Sequence, residues 1–177
     1  MSGVRAAKAV SVFFVVACAT AFSVWSNAVK AHDHTIPRVR LISQRAWQRG
    51  RLQSFCWITG NAGSNKACAG GSYSWPTRDR TPGEMRAVIR INKAQRPRKL
   101  TIRRWRRIDD KGSPIGDGKK VNYQLVTVIH RDRVVREARF RLPRRDGHVY
   151  LTAYGVWRDV VSQERQNATW NFHLKLR

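Results

Sequence analysis

Two thiols twelve residues apart, Cys56 and Cys68, are the groups in this chain best placed for chemistry of their own. Paired thiolates ligate metals, but neither cysteine has a further Cys or His at ligand spacing. Pairing as a disulfide is the other reading, and it requires an oxidising compartment. A second constellation is His32-Asp33-His34. Cleavage after Ala31 would leave a free amine with His34 in third position. The amine, two amides and an imidazole would then suit Cu(II) or Ni(II) in square-planar geometry. Uncut, the same residues read as a flexible linker, so no metal is assigned. Asp109-Asp110 is a paired carboxylate, but beside Arg106, Arg107 and Lys111 it reads as a surface turn. The chain has no Gly-rich phosphate loop, no metalloprotease helix motif and no nucleophile elbow. The expectation is no enzyme activity, no catalytic residue and no cofactor.

Charge is the second source of chemistry. Lys and Arg number 35 against 11 Asp and Glu, a formal net charge of +24. The cations cluster in Arg103-Arg104-Trp105-Arg106-Arg107 and alternate with apolar residues around Arg86 and Arg90. They recur at Lys175 and Arg177. Arg86, Arg90, Arg103, Arg104, Arg106, Arg107, Lys175 and Arg177 form the expected polyanion-binding set. Arg139, Arg141 and His173 also fall on outward strand positions. A field this large draws polyanions at long range. The partners it suggests are an anionic cell-wall polymer or a membrane surface, with nucleic acid bound only as a nonspecific polyanion. The bland reading is solubility. A small-molecule ligand is not expected, and docking to a specific protein partner is the alternative function. Among the tryptophans, Trp57 and Trp170 read as core. Trp75 and Trp105, flanked by turn or basic residues, read as exposed and open to stacking on a ligand. Asn167-Ala168-Thr169 is a glycosylation sequon that reads better as strand.

The N-terminus carries targeting grammar. Arg5 and Lys8 precede an uncharged stretch from Ala9 to Val29 with an apolar centre at Val10-Ser11-Val12-Phe13-Phe14-Val15-Val16-Ala17. Val29-Lys30-Ala31 offers small residues at a cleavage site, as does Ser26-Asn27-Ala28. The stretch is also long enough to span a bilayer, and Val15-Val16-Ala17-Cys18 resembles a lipobox. Cleaved signal, uncleaved anchor and lipidated Cys18 stay open as alternatives. Each puts the bulk of the chain outside the cytoplasm, secreted or membrane-anchored. In that compartment Cys56 and Cys68 are expected to pair, closing a short loop worth about 3 kcal/mol in the chain-entropy treatment.

Strand signals dominate the rest. Met85–Ile91 alternates with period two, as does 168–177, where every even position is apolar. Lys99–Ile108, Val121–Ile129, Arg133–Leu142 and His148–Trp157 are further runs, separated by turn residues. In the first of these Trp105 falls out of register unless a bulge restores it. Val39-Arg40-Leu41-Ile42 reads as an edge strand. No amphipathic helix follows the leader. The expected architecture is all-β: residues 1–31 as signal peptide or anchor helix, 32–50 as a basic linker, and 51–177 as an Ig-like β-sandwich.

Ser54-Phe55-Cys56-Trp57, Cys68-Ala69, Pro97-Arg98-Lys99-Leu100, His148–Trp157 and Asn167–Leu174 follow one another in an order that resembles a family of small exported bacterial proteins. Many of these are lipoproteins, with an Ig-like domain of unknown function. The resemblance covers roughly residues 50–177. It departs at Gly70, where an acidic residue is usual, and in the high basic charge. It implies fold and compartment, and no catalytic residue.

Overall fold

Period-two burial marks Arg38–Ser43 and Arg86–Asn92. Arg-Val-Arg-Leu-Ile-Ser at Arg38–Ser43 buries Val39, Leu41 and Ser43 and turns Arg38 and Arg40 to solvent. The computed structural model describes residues 35–43, 46–59, 65–76, 79–81, 86–142 and 147–176, all within the compact unit His34–Arg177. In chain order the strands are β1 (Arg38–Ser43), β2 (Ala46–Arg49), β3 (Arg51–Thr59), β4 (Asn65–Gly70), β5 (Asp79–Thr81) and β6 (Arg86–Asn92). They continue with β7 (Lys99–Trp105), β8 (Lys119–Lys120), β9 (Gln124–His130), β10 (Arg133–Arg141), β11 (Gly147–Arg158) and β12 (Arg165–Leu176). The described residues contain no helix long and apolar enough to cross a membrane. The apolar stretch Ala9–Val29, Cys18 and the histidines His32 and His34 lie outside the described residues.

The strands form two antiparallel sheets. The first has the order β2-β1-β6-β10-β9 and the second β4-β3-β12-β11-β7-β8, with β5 joining β12 in parallel. Val39, Leu41, Ile89, Ile91 and Phe140 from the first sheet share one buried cluster with Ile102, Leu151, Phe172 and Leu174 from the second. Apolar faces buried against each other make this a two-layer sandwich. Its centre in the second sheet is a tryptophan cluster. Trp157 meets Trp57 edge-on at 5.5 Å and Trp170 at 6.1 Å between ring centroids.

The expected edge strand at Val39–Ile42 lies inside the first sheet instead, between β2 and β6, with Val39 and Leu41 in the core. Gly50 alone carries the chain from β2 in one sheet to β3 in the other. A Cβ there would stand 2.8 Å from the Phe172 ring, so only glycine fits the crossover. Gln48, just before it, closes a gap in the second sheet. Along β12, β3 pairs as far as Asn171 and β5 from Leu174. Between them the Gln48 amide donates to the His173 carbonyl and accepts from the His173 N–H, both at 3.1 Å. A side-chain amide thus replaces the missing strand partner, and those buried backbone groups are satisfied.

The disulfide is present. Cys56 and Cys68 stand directly opposite in the β3–β4 ladder and are bonded. β4 gave no sequence signal because all six of its residues are exposed and none alternates. It is held by the ladder to β3, the disulfide and an exposed ion pair from Lys66 to Glu164 at 3.4 Å. Replacing both cysteines with serine is expected to cost at most about 3 kcal/mol. Hydrogen exchange should accelerate mainly in β4, with the tryptophan cluster still protected. Uniform acceleration through β11 and β12 would contradict this.

Candidate anion-binding face

Alternation on the first sheet puts apolar residues inward and, on several adjacent strands, arginines outward. Ladder register brings these arginines abreast. Arg49 of β2 stands opposite Arg40 of β1, which stands opposite Arg90 of β6. Arg86 of β6 stands opposite Arg141 of β10. Like charges directly opposite on neighbouring strands repel, so this arrangement is held against its own electrostatics. Glu137, opposite Arg90, is the one acidic side chain on that face among the described strand residues.

Glu137 is nearly buried and gathers two guanidiniums. Arg90 donates to Oε1 through Nε at 3.0 Å and Nη2 at 2.8 Å. Arg139 donates to Oε2 through Nε at 3.2 Å and Nη2 at 3.0 Å. A planar guanidinium has five N–H donors, so Arg90 keeps three for other partners. Arg40 lies over the Trp47 ring at 4.6 Å from its centroid. Trp47 itself is 57% exposed.

The β9–β10 connection completes the site. His130 pairs with Arg133, leaving a two-residue turn. Both turn residues, Arg131 at φ 49° and Asp132 at φ 60°, are left-handed. That is the type I′ geometry that matches strand twist, and asparagine or glycine fits it best. Arg131 occupies its position against backbone preference. The turn brings Arg131 and Arg133 beside Arg38, Arg40 and Arg90. Together with Asn92, His130 and Val135 they line a cavity of about 440 Å³ with no acidic residue in its wall.

The residues expected to bind polyanions do not form one site. Arg86 and Arg90 lie on this face. Arg103 belongs to the outward side of the second sheet and Lys175 to the end of β12, while Arg106 and Arg107 are exposed beyond β7. Arg104 is half-buried, and burial lowers its guanidinium pKa, with Arg106 lowering it further. Arg177 lies outside the described residues. Arg38, Arg40, Arg131 and Arg133 were missed. The available signal was Arg38-Val39-Arg40-Leu41, alternating like Arg86–Ile91.

Two expectations about aromatics are corrected. Trp105 needs no bulge: its register against β11 is unbroken, and it points to the outer face opposite Tyr150. Neither Trp105 nor Trp75 is freely exposed. Trp75 Nε1 donates to the Gly112 carbonyl at 2.8 Å and Trp105 Nε1 to the Gly116 carbonyl at 3.2 Å. Both indoles therefore fasten the glycine-rich loop before β8. Trp75 also packs edge-on against Tyr150 at 5.1 Å, and the Ser74 carbonyl accepts from Asn171 Nδ2. This cover explains why His173, on an outward position, is buried and hydrogen-bonded to His148 at 3.0 Å. Asp109 accepts from the Ser113 N–H at 2.6 Å, organising its own turn. Asn167–Thr169 is β12 backbone, paired on both sides. Among the described residues no group of three His, Cys, Asp or Glu could hold a metal.

No protein-family model matches this chain, and neither a characterised protein nor a solved structure does.

Proposed function

We propose that the chain is a noncatalytic, extracytoplasmic module, exported by its N-terminal segment, that adheres to anionic cell-surface material through the outer face of the first sheet. The supporting observation is the row Arg49, Arg40 and Arg90, with Arg86 opposite Arg141 and one carboxylate among them. A self-repelling row is relieved by a bound polyanion, which gains counterion release as well. The sandwich is proposed to be Ig-like, in keeping with the resemblance to exported bacterial domains. Layer architecture and size support this. The strand order differs from the immunoglobulin arrangement, and the disulfide joins neighbours in one sheet instead of bridging two.

The test is retention on vesicles containing phosphatidylglycerol, compared with neutral phosphatidylcholine vesicles, across a salt series. Residues 34–177 should bind the anionic vesicles at low salt and release steeply as salt rises. Equal behaviour on both vesicles, or no retention at low salt, sinks the reading. A second reading is docking of a protein partner along β4, an edge strand exposed over all six residues. It predicts salt-insensitive capture of one reproducible partner by crosslinking in intact cells.

A further inference from the structure

We infer that the cavity lined by Arg38, Arg40, Arg90, Arg131 and Arg133 is a discrete binding site for a phosphate group, rather than one more stretch of basic surface. The inference deepens the adhesion reading and rests on it for the biological source of the ligand. Three observations carry it. Five arginines line about 440 Å³ with no acid in the wall, and with Arg90 paired to Glu137 the other four still carry more charge than a single carboxylate answers. A phosphate ester brings up to two negative charges and several acceptor oxygens, and the guanidinium fork matches it bidentately. The volume is that of a small-ligand site, enough for one or two phosphoryl groups.

The site is also built in advance. Arg90 is fixed by its two bonds to Glu137, so its remaining donors are oriented before any ligand arrives. Arg131 is held in a left-handed turn position that an arginine seldom occupies. Asparagine in its place would relieve the backbone, so the arginine is kept at a cost in stability. One step along the same hairpin, and facing its other side, Ile129 and Val134 are exposed near the tip. Those residues offer a way to tell a lipid headgroup from a soluble phosphate.

The experiment uses the full chain held in neutral maltoside micelles at about 0.15 M salt, where long-range attraction is screened. Inorganic pyrophosphate is titrated calorimetrically. The parent chain is compared with Arg131→Asn plus Arg133→Gln, and with Lys119→Gln plus Lys120→Gln, which removes the same charge from β8. Losing two charge-assisted partners should weaken pyrophosphate binding by at least about tenfold in the arginine double variant. The lysine double variant should stay close to the parent. Folding is not at stake, because asparagine suits the turn and the thermal midpoint should hold or rise. Equal weakening in both variants, or no heat with the parent, overturns the cavity. That result leaves salt-dependent adhesion to vesicles standing. Pyrophosphate bound in the cavity by a chain that does not stay on anionic vesicles does the reverse.

Source is read in a second arm, with phosphatidate doped into the micelles. If Ile129→Gln plus Val134→Thr weakens the response to phosphatidate and leaves pyrophosphate unchanged, the phosphate belongs to a lipid headgroup. If both probes are unaffected, it belongs to a soluble or polymeric phosphate. Either outcome supports the site.

Discussion

Trp157→Ala is expected to lower unfolding stability by about 3–5 kcal/mol, the range for deleting a buried aromatic. Trp157 is fully buried and touches Trp57 and Trp170 edge-on, so its removal takes an aromatic contact from two large rings. The cavity cannot close easily. The indole lies over Gly155, where a Cβ would sit 2.3 Å from ring atom Cη2, so the backbone there has no side chain to move in. Trp157 Nε1 also donates to the Gln95 carbonyl at 3.2 Å, tying the segment between β6 and β7 to the second sheet. Trp157→Phe keeps most of the ring and loses that bond. It should cost roughly half as much, with faster exchange around Gln95. Urea denaturation with an unchanged m-value is the measurement. A loss below about 1 kcal/mol for the alanine variant would mean the cluster does not organise the core, against its burial.

Alternation along single strands was readable because one face is buried. Within the described residues, 86–91, His148–Trp157 and 168–176 all became strands with the expected apolar residues inward. The same rule could not find β4, whose residues are exposed throughout, nor the three-residue β5. Outwardness also proved a weaker guide than inwardness. Residues 73–75 and the loop before β8 lie over the outer face of β11 and β12, so Tyr150, Asn171 and His173 are buried although the period places them outside. That cover is a tertiary contact between segments far apart in the chain, and no local pattern encodes it.

The arginine site divides in the same way. Each contributing strand announces its outward arginine, but strand order decides which of them meet. β1, β6 and β10 are adjacent only because the chain leaves the first sheet at Gly50 and after β6, and returns to it before β6 and before β9. The run Arg103–Arg107, the densest charge in the sequence, lies on the other sheet and beyond it. Density along the chain therefore pointed away from the place where charge converges in space.

Removing Glu137 from that face gives the second large effect. Glu137→Gln is expected to cost about 3 kcal/mol, the low end for breaking a buried pair, because Arg139 is half exposed and Arg90 only partly buried. The loss comes from Arg90 and Arg139, left charged beside Arg40 with no counter-charge. It should therefore shrink as salt rises, unlike the Trp157 cavity, which salt does not fill. Combining Glu137→Gln with Arg90→Gln should recover part of the loss, since the second change removes the charge left stranded. Glu137→Gln alone should bind anions better, holding to phosphatidylglycerol vesicles at higher salt than the parent, because the face gains one unit of positive charge. Opposite movement of stability and adhesion is the signature of a face whose repulsion is kept for a ligand. If Glu137→Gln loses under about 1 kcal/mol at every salt concentration, the pair behaves as a surface ion pair, and Arg90 is not the fixed arm of the site.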